Sequence, residues 1–229
     1  TQILGECPYK SPTDMGVNMA GFCIFDDEAV REAANMEILR RYFKAAEDVS
    51  KHAAPPALLA KNELIMQQAG VTKDIFPAVK AALDKESETG KPAGAMQLPD
   101  GSIVTGKTSN LLGASAALLL NALKTLAGID DSVDLIDAET IAPICRLKTE
   151  MLGNHNPRLH SDEVLIALAA SSVNSETARL AMEALPRLAA CGAHFSIILS
   201  SVDEKTYKKL GINVSCEPKY EHRTLYHRS

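Results

Sequence analysis

The segment with the clearest chemical meaning is residues 101–108, Gly-Ser-Ile-Val-Thr-Gly-Lys-Thr, which satisfies the GxxxxGKT spacing of a nucleotide-phosphate loop. In such a loop, backbone amides and the lysine hold phosphate groups at the start of a helix. Residues 133–137, Val-Asp-Leu-Ile-Asp, are similar to the acidic strand that holds magnesium in those proteins. A β-hairpin is the alternative, because Pro99 and Asp100 place Gly101 in a turn between two short β runs. The spacing alone is compatible with both structures.

Four polar residues at the end of this segment are the leading candidates for ligand binding. Lys107, Thr108, Ser109 and Asn110 lie between a predicted strand and a predicted buried helix over residues 111–127. Free backbone amides and the helix dipole favour an anion at such a helix start. We therefore predict that these four residues bind the phosphate or carboxylate group of a ligand. The alternative is that Ser109 only caps the helix and that Lys107 is solvated.

A polar loop over residues 154–160 supplies secondary candidates, namely His155, Arg158 and His160. Histidine transfers protons near neutral pH, and arginine recognises anions. An exposed connection between two helices would have a similar composition, because loops are polar by default. Near the start of the chain, Asp14 could line a site or cap a turn.

The predicted order of elements resembles that of the cytidine deaminases, which is a likeness of fold alone. Those enzymes bind zinc through His-x-Glu or Cys-x-Glu on one helix and Pro-Cys-x-x-Cys on the next. Here residues 113–115 are Gly-Ala-Ser, and Cys145 has no second cysteine three residues on. The chain also lacks HExxH. We therefore predict no metal site, and the sequence assigns no cofactor.

The predicted architecture is α/β. Residues 1–90 form a loop and a helical subdomain, and residues 91–229 form a three-layer α/β/α sandwich with cytidine-deaminase-like topology. Crossover helices between strands predict a mostly parallel sheet with helices on both faces. The predicted helices cover residues 26–50, 57–69, 77–87, 111–127, 138–152 and 203–210, with two more capped near Ser161 and Ser175, and the predicted strands cover 95–98, 102–105, 133–136, 195–199 and 212–216.

Composition excludes several classes of function. Hydrophobic residues make up 46% and charged residues 23%, which is typical of a soluble globular protein. The net charge of -5 and the lack of a basic cluster argue against nucleic-acid binding. The longest apolar run, residues 116–120, is too short to cross a bilayer. The five cysteines form no CxxC pair, which indicates reduced thiols. We expect a cytoplasmic protein that binds neither nucleic acid nor membrane.

Four segments carry a resemblance to a known family: residues 6–21 (ECPYKSPTDMGVNMAG), 40–43 (RRYF), 98–107 (LPDGSIVTGK) and 126–129 (LAGI). They closely resemble the carboxy-terminal half of a bacterial family of uncharacterised proteins, known as a domain of unknown function. The resemblance covers essentially the whole chain. It implies a larger cytosolic protein whose missing amino-terminal half carries its own glycine-rich GSGK-type segment. It also implies a helical subdomain followed by an α/β sandwich of deaminase-like topology. Some members carry the label ATP-dependent zinc protease, which this chain does not support, and the family implies no catalytic residues.

Two functions remain in competition. The first is a domain that binds a nucleotide or another phosphorylated small molecule within a larger enzyme that works without zinc. The second is a non-catalytic structural or oligomerisation half, favoured by the alanine- and leucine-rich helices. The expected partners are the missing amino-terminal domain of the same protein, a phosphate-bearing small molecule and further copies of the chain in a homo-oligomer.

Overall fold

The computed structural model describes residues 27–221, which divide into two compact units, one ending at Phe76 and one starting at Pro77. The first unit contains helices α1 (Asp27–Ser50) and α2 (Pro56–Ala69) and a 3₁₀ turn over Lys73–Ile75. The elements of the second unit are α3 (Pro77–Thr89), β1 (Ala93–Gln97), β2 (Ile103–Lys107), α4 (Ala114–Ala127), α5 (Ala138–Arg146), α6 (Ser161–Ser171), α7 (Glu176–Glu183), β3 (Gly192–Phe195), α8 (Ser201–Lys209) and β4 (Asn213–Cys216).

The helices of the first unit begin and end close to the predicted residues. Pro56 lies in the first turn of α2, where a missing N–H costs no hydrogen bond. Gly70 ends α2 in the left-handed conformation, with φ of 66°. On α1, the predicted apolar stripe includes Ile38 and Phe43, which are 6% and 1% exposed. Turn-forming residues and hydrophobic spacing were therefore sufficient to predict these helices.

The second unit begins earlier in the chain than the domain boundary that we predicted after residue 90. Helix α3 contacts β1, β2 and β3, and it buries Ala78, Val79 and Ala82. A helix that packs on three strands belongs to the same compact unit as the sheet. The assignment of residues 1–90 and 91–229 to separate domains remains a prediction.

The strands form one mixed sheet in the order β2-β1-β3-β4. Strand β1 is antiparallel to both neighbours, and β3 is parallel to β4. The α/β class is confirmed, but the predicted mostly parallel sheet is wrong. The hairpin places β2 on one side of β1, and the chain returns on the other side of β1, so that β1 has two antiparallel neighbours.

Two of the predicted strands differ in the structure. Residues 133–136 are irregular, although Leu135 and Ile136 are buried to 3% and 6% exposure. Strand β3 covers Gly192–Phe195 and ends where a strand over 195–199 was expected, while Ile197 and Ile198 are buried beyond its end. A short apolar run indicates burial but does not distinguish a paired strand from a buried loop.

Both faces of the sheet are covered within the second unit. Consecutive residues of β1, Ala93 to Met96, are all fully buried, and successive side chains of a strand point to opposite faces. Helix α4 packs on the face to which Gly94 and Gly106 point, because a Cβ built on either would meet Leu118. Among residues 27–221, every helix is too short or too polar to cross a membrane.

Residues 101–108 contain the turn and the second strand of the hairpin formed by β1 and β2, so the phosphate-loop hypothesis is wrong. Gly101 lies in the turn with φ of 84°, and its N–H donates to the Leu98 carbonyl. Gly106 is paired with Gly94 inside the ladder between β1 and β2. A Cβ on Gly106 would overlap the backbone nitrogen of Leu118 and lie 2.5 Å from its Cα. Gly106 therefore allows α4 to approach the strand, which explains the second glycine without a phosphate.

Candidate functional site

A polar pocket lies at the amino-terminal end of α4. Gly113 is the N-cap residue of α4, and its N–H donates to the Leu159 carbonyl at 3.2 Å. The Leu159 N–H donates in turn to the Leu111 carbonyl at 2.9 Å. These bonds fix the loop before α6 against the start of α4. Two residues of that loop, Arg158 and His160, consequently reach the pocket.

The pocket has a volume of about 30 Å³, which is room for about two water molecules. Thr108 and Ser115 line it, and each is only 3% exposed. Within the described residues, neither side-chain hydroxyl makes a hydrogen bond to the protein. The first backbone N–H groups of α4 have no partner inside the helix. Unused donors on two buried side chains and on a helix start therefore meet in one small cavity.

Arg158 supplies positive charge at the wall of this pocket. Its Nη1 donates to both carboxylate oxygens of Glu221, at 2.8 and 3.0 Å. Lys148, which is 4% exposed, donates to the Arg158 carbonyl and to Glu163, both at 2.7 Å. Glu163 also accepts the backbone N–H of His160 at 2.8 Å. A partly buried ion pair thus holds the loop that carries Arg158 and His160.

Asp203, near the start of α8, anchors the imidazole of His160. Its Oδ2 lies 2.9 Å from His160 Nδ1 and accepts from the Ser200 hydroxyl at 2.6 Å. Its Oδ1 accepts from the Ser161 N–H at 2.8 Å and the Ser161 hydroxyl at 2.7 Å. Burial on its own raises the pKa of Asp203, but the hydrogen bonds and the charge of His160, with the Ser200 and Ser161 donors, outweigh burial and hold the pKa well below its usual range.

Helix α8 is tied to the start of α4 by Tyr207. This fully buried side chain donates its O–H to the Ser115 carbonyl at 2.7 Å. Burial, and secondarily the charge of Asp203, raises the pKa of Tyr207, so its hydroxyl remains a donor. The contact places the His160 and Asp203 pair beside the first turn of α4.

The structure brings three of the predicted site residues together and leaves the others apart. Thr108, Arg158 and His160 line the same pocket. Lys107 and Asn110 are exposed and lie outside the residues that line it, as does the exposed His155. Asp14 lies outside the described residues.

Ser109 stabilises a turn ahead of the helix. Its Oγ accepts from the N–H groups of Leu111 and Leu112, at 3.2 and 3.0 Å, and α4 begins at Ala114 rather than at residue 111. This agrees with a local capping role for Ser109. It also moves the helix start, and with it the anion-favouring end, away from Lys107.

The sequence alone missed Ser115, Ser200 and Asp203. Ser200 does carry a local signal, because its hydroxyl accepts the Asp203 N–H at 3.2 Å as the N-cap of α8. That pattern describes a helix start and says nothing of His160, which lies in a different part of the sequence. The packing of α6 against α8 brings the residues together.

Within the described residues, no group of three or more histidine, cysteine or acidic side chains is arranged to hold a metal ion. Cys145 is 8% exposed, and burial raises the pKa of its thiol despite the opposing charge of Lys148. A buried thiol with a raised pKa is a poor metal ligand and a poor nucleophile.

A second, larger cavity of about 210 Å³ lies along α4. Its wall is mostly aliphatic, with Leu120 and Ile141 among the lining residues. Asn121 and Lys124 also line it, but both are used internally, since Asn121 donates to the Thr105 carbonyl at 2.9 Å and Lys124 to the Asp131 carbonyl at 2.8 Å. The smaller pocket therefore has the richer polar chemistry.

The fold and the pocket define an α/β protein with a polar cavity at the start of a buried helix. Comparison with protein families agrees with the resemblance noted in the sequence. Residues 74–226 match the model for the domain of unknown function DUF1846, C-terminal, and residues 1–70 match the model for DUF1846, N-terminal. The chain belongs to the DUF1846 family. Since it matches both models, the expectation that it represents a carboxy-terminal half is corrected.

Relatives in several bacteria are called UPF0371 proteins. The one from Corynebacterium glutamicum (strain R) is 54% identical over 226 residues, which is 99% of this chain and 46% of the relative. The one from Streptococcus pyogenes serotype M5 (strain Manfredo) is 48% identical over 227 residues, with the same coverage of both chains. The chain thus spans about half the length of these relatives, and the names of the family and of its members state no biochemical function.

Proposed function

We propose that this chain binds the phosphate group of a nucleotide or another phosphorylated small molecule at the start of α4, as part of a larger enzyme that works without zinc. The observation that carries the proposal is the convergence of Thr108, Ser115 and Arg158 on one pocket at a helix amino terminus. Hydroxyl groups, free amides and a guanidinium are the groups that bind phosphate oxygens in proteins.

The size of the pocket limits what enters it. A volume of about 30 Å³ admits the charged end of a ligand and excludes a whole nucleotide. The rest of the ligand would lie outside the pocket, within reach of the further residues that a protein as long as the Corynebacterium glutamicum relative would have. The predicted partnership with a further domain of the same protein belongs to the same proposal.

Arg158→Gln is expected to weaken the binding of inorganic phosphate by about tenfold or more, because a charge-assisted hydrogen bond to the anion is lost. Ser115→Ala should weaken it by about threefold to tenfold through the loss of a neutral donor. Lys107→Ala is the matched control, since it removes an exposed cation that does not line the pocket. Isothermal titration with phosphate and with nucleoside monophosphates measures all three.

The same titration distinguishes the competing sites. A loss of affinity in Lys107→Ala with none in Arg158→Gln would place the anion at the strand end, beside Ser109 and Asn110. If the unmodified protein binds none of these anions, the phosphate proposal fails.

Glu221→Gln is expected to strengthen phosphate binding by about tenfold. The Glu221 carboxylate accepts both hydrogen bonds from Arg158 Nη1, so it competes with an incoming anion for the guanidinium. The titration of this variant beside Arg158→Gln is the measurement. Unchanged or weaker binding in Glu221→Gln would show that Arg158 is not recruited by the ligand.

A structural or oligomerising role is the second candidate, and one observation favours it. Leu147, Met151 and Leu152 are 53%, 77% and 69% exposed in a single turn after α5. Contiguous exposed apolar side chains are typical of surfaces that other chains cover. Light scattering tests this role. A monomer that binds phosphate would favour the binding function over the structural one.

The finer fold assignment also remains a proposal. The order β2-β1-β3-β4, with helices on both faces of β1, supports a three-layer sandwich of cytidine-deaminase-like topology. The irregular segment 133–136 is a departure from it, because a strand was expected there.

A further inference from the structure

We infer that His160 is the proton-transferring group of this pocket and that the substrates are phosphate monoesters, which the site hydrolyses. The inference rests on the proposed phosphate site and adds the reaction. Three features carry it: the Asp203 contact to one ring nitrogen, the position of the ring in the pocket wall, and the convergence of phosphate-binding groups beside it.

The contact with Asp203 determines which nitrogen of His160 does chemistry. Asp203 accepts hydrogen bonds from Ser161 and Ser200, and the distance of 2.9 Å to His160 Nδ1 makes that nitrogen the donor to the carboxylate. The second ring nitrogen, Nε2, is then the nitrogen that can take up and give off a proton. His160 is also the N-cap residue of α6, where its side chain and that of Glu163 form a capping box, and the ring still lines the pocket. Asp203 is thus a positioning residue that fixes the tautomer and the orientation of the ring.

A purely structural role for His160 explains less of its contact with Asp203. Asp203 already has three donors from two serines, so the carboxylate does not need the imidazole for its hydrogen bonds. The His160 side chain is 20% exposed and lines the pocket, whereas Asp203 behind it is 8% exposed. The pair therefore has a buried anion at the back and a partly exposed imidazole ring at the front.

The charges around His160 come from several elements. Asp203 of α8 faces it directly, Arg158 and Glu221 lie in the same pocket wall, and Glu163 and Lys148 support its backbone. Arg158, once it exchanges Glu221 for the ligand, and the start of α4 attract the phosphate group to the pocket.

The proposed step balances without a redox partner. The His160 imidazolium gives its Nε2 proton to the bridging oxygen of the ester as the bond from that oxygen to phosphorus breaks. A water oxygen forms the new bond to phosphorus on the side opposite the leaving group, one proton of that water passes to the solvent, and Nε2 takes up a proton from the solvent before the next turnover. The net reaction converts a phosphate monoester and water into an alcohol and inorganic phosphate.

The test compares two substrates that differ in the need for an acid. Phenyl phosphate has a poor leaving group that needs protonation, whereas p-nitrophenyl phosphate releases a stable phenolate. With the full chain, we expect His160→Gln to lower kcat/KM for phenyl phosphate by about 100-fold or more and for p-nitrophenyl phosphate by less than about tenfold. Asp203→Asn should change the pH profile of the phenyl phosphate reaction, which a structural carboxylate alone would not do.

Several results would overturn the inference. Equal losses on the two esters would show that His160 binds or supports without giving a proton. Binding of inorganic phosphate without hydrolysis of either ester would remove the reaction and leave the proposed function intact, while absence of phosphate binding would remove both. If His160→Gln fails to fold, the ¹⁵N resonances of His160 in the unmodified protein decide: addition of phosphate must shift Nε2, and an unchanged signal contradicts the inference.

Discussion

Gly106→Ala is expected to lower the free energy of unfolding by about 3 kcal/mol or more. The new Cβ would overlap the backbone nitrogen and Cα of Leu118, and a backbone segment inside a helix cannot move aside as a flexible side chain can. Strand β2 and helix α4 would have to separate, with a loss of packing across that face of the sheet. Urea denaturation at constant protein concentration measures the effect.

Two matched variants make this result specific. Gly113→Ala is expected to cost less than about 1 kcal/mol, since a Cβ there would be no closer than 3.6 Å to another atom. Lys107→Ala should change stability by less than about 0.5 kcal/mol, because its side chain is exposed. Wild-type stability in Gly106→Ala, together with lost nucleotide affinity, would contradict the packing explanation and revive the phosphate loop.

Asp203→Asn is expected to lower the free energy of unfolding at pH 7 by about 3 kcal/mol, because a buried carboxylate with four hydrogen-bond partners loses its charge. The native pKa of Asp203 lies below its usual range, which for an unfolded chain is about 3.9. Below about pH 5 the unfolded state then binds protons more readily than the native state, so the contribution is complete at neutral pH and declines as the pH falls through the native pKa.

The difference in stability between the unmodified protein and Asp203→Asn should therefore shrink steadily as the pH falls below about 4. Urea titrations at neutral and acidic pH measure this difference. Asp130→Asn is a useful control. Hydrogen bonds from Ser132 lower the pKa of Asp130, as hydrogen bonds do for Asp203, but the Asp130 side chain is fully exposed. A pH-independent difference for Asp203→Asn would contradict a native pKa of Asp203 below its usual range.

Local sequence signals predicted the parts of the fold that local chemistry determines. Pro56, Gly70 and the Ser175 cap marked helix ends, and the Pro-Asp-Gly turn marked the hairpin. The strand expected at residues 133–136 failed because Leu135 and Ile136 are buried by side chains without a neighbouring strand to pair with. Hydrophobic spacing reports burial, and pairing depends on residues far away in the sequence.

In the candidate site, too, local sequence predicted some features, and contacts between distant residues determined the others. Thr108, Arg158 and His160 could be selected because their types suit anions and protons, and their positions in loops suit binding. The contact between His160 and Asp203 could not be predicted from the sequence, since it depends on how α6 and α8 pack. Lys107 was selected for its place between a strand end and a predicted helix start, but the helix begins beyond the turn that Ser109 closes.

Gly94 and Gly106, which are paired under α4, differ in how readily another residue could replace them. Around Gly94, a Cβ would meet the Phe195 ring and a Leu118 methyl group, so a smaller side chain at position 195 offers a compensating route. Around Gly106, the obstacle is the main chain of Leu118, which no replacement at position 118 removes. Related sequences should therefore tolerate a larger residue at position 94 when the residues that contact it change as well. At position 106, no single substitution elsewhere makes room for a side chain.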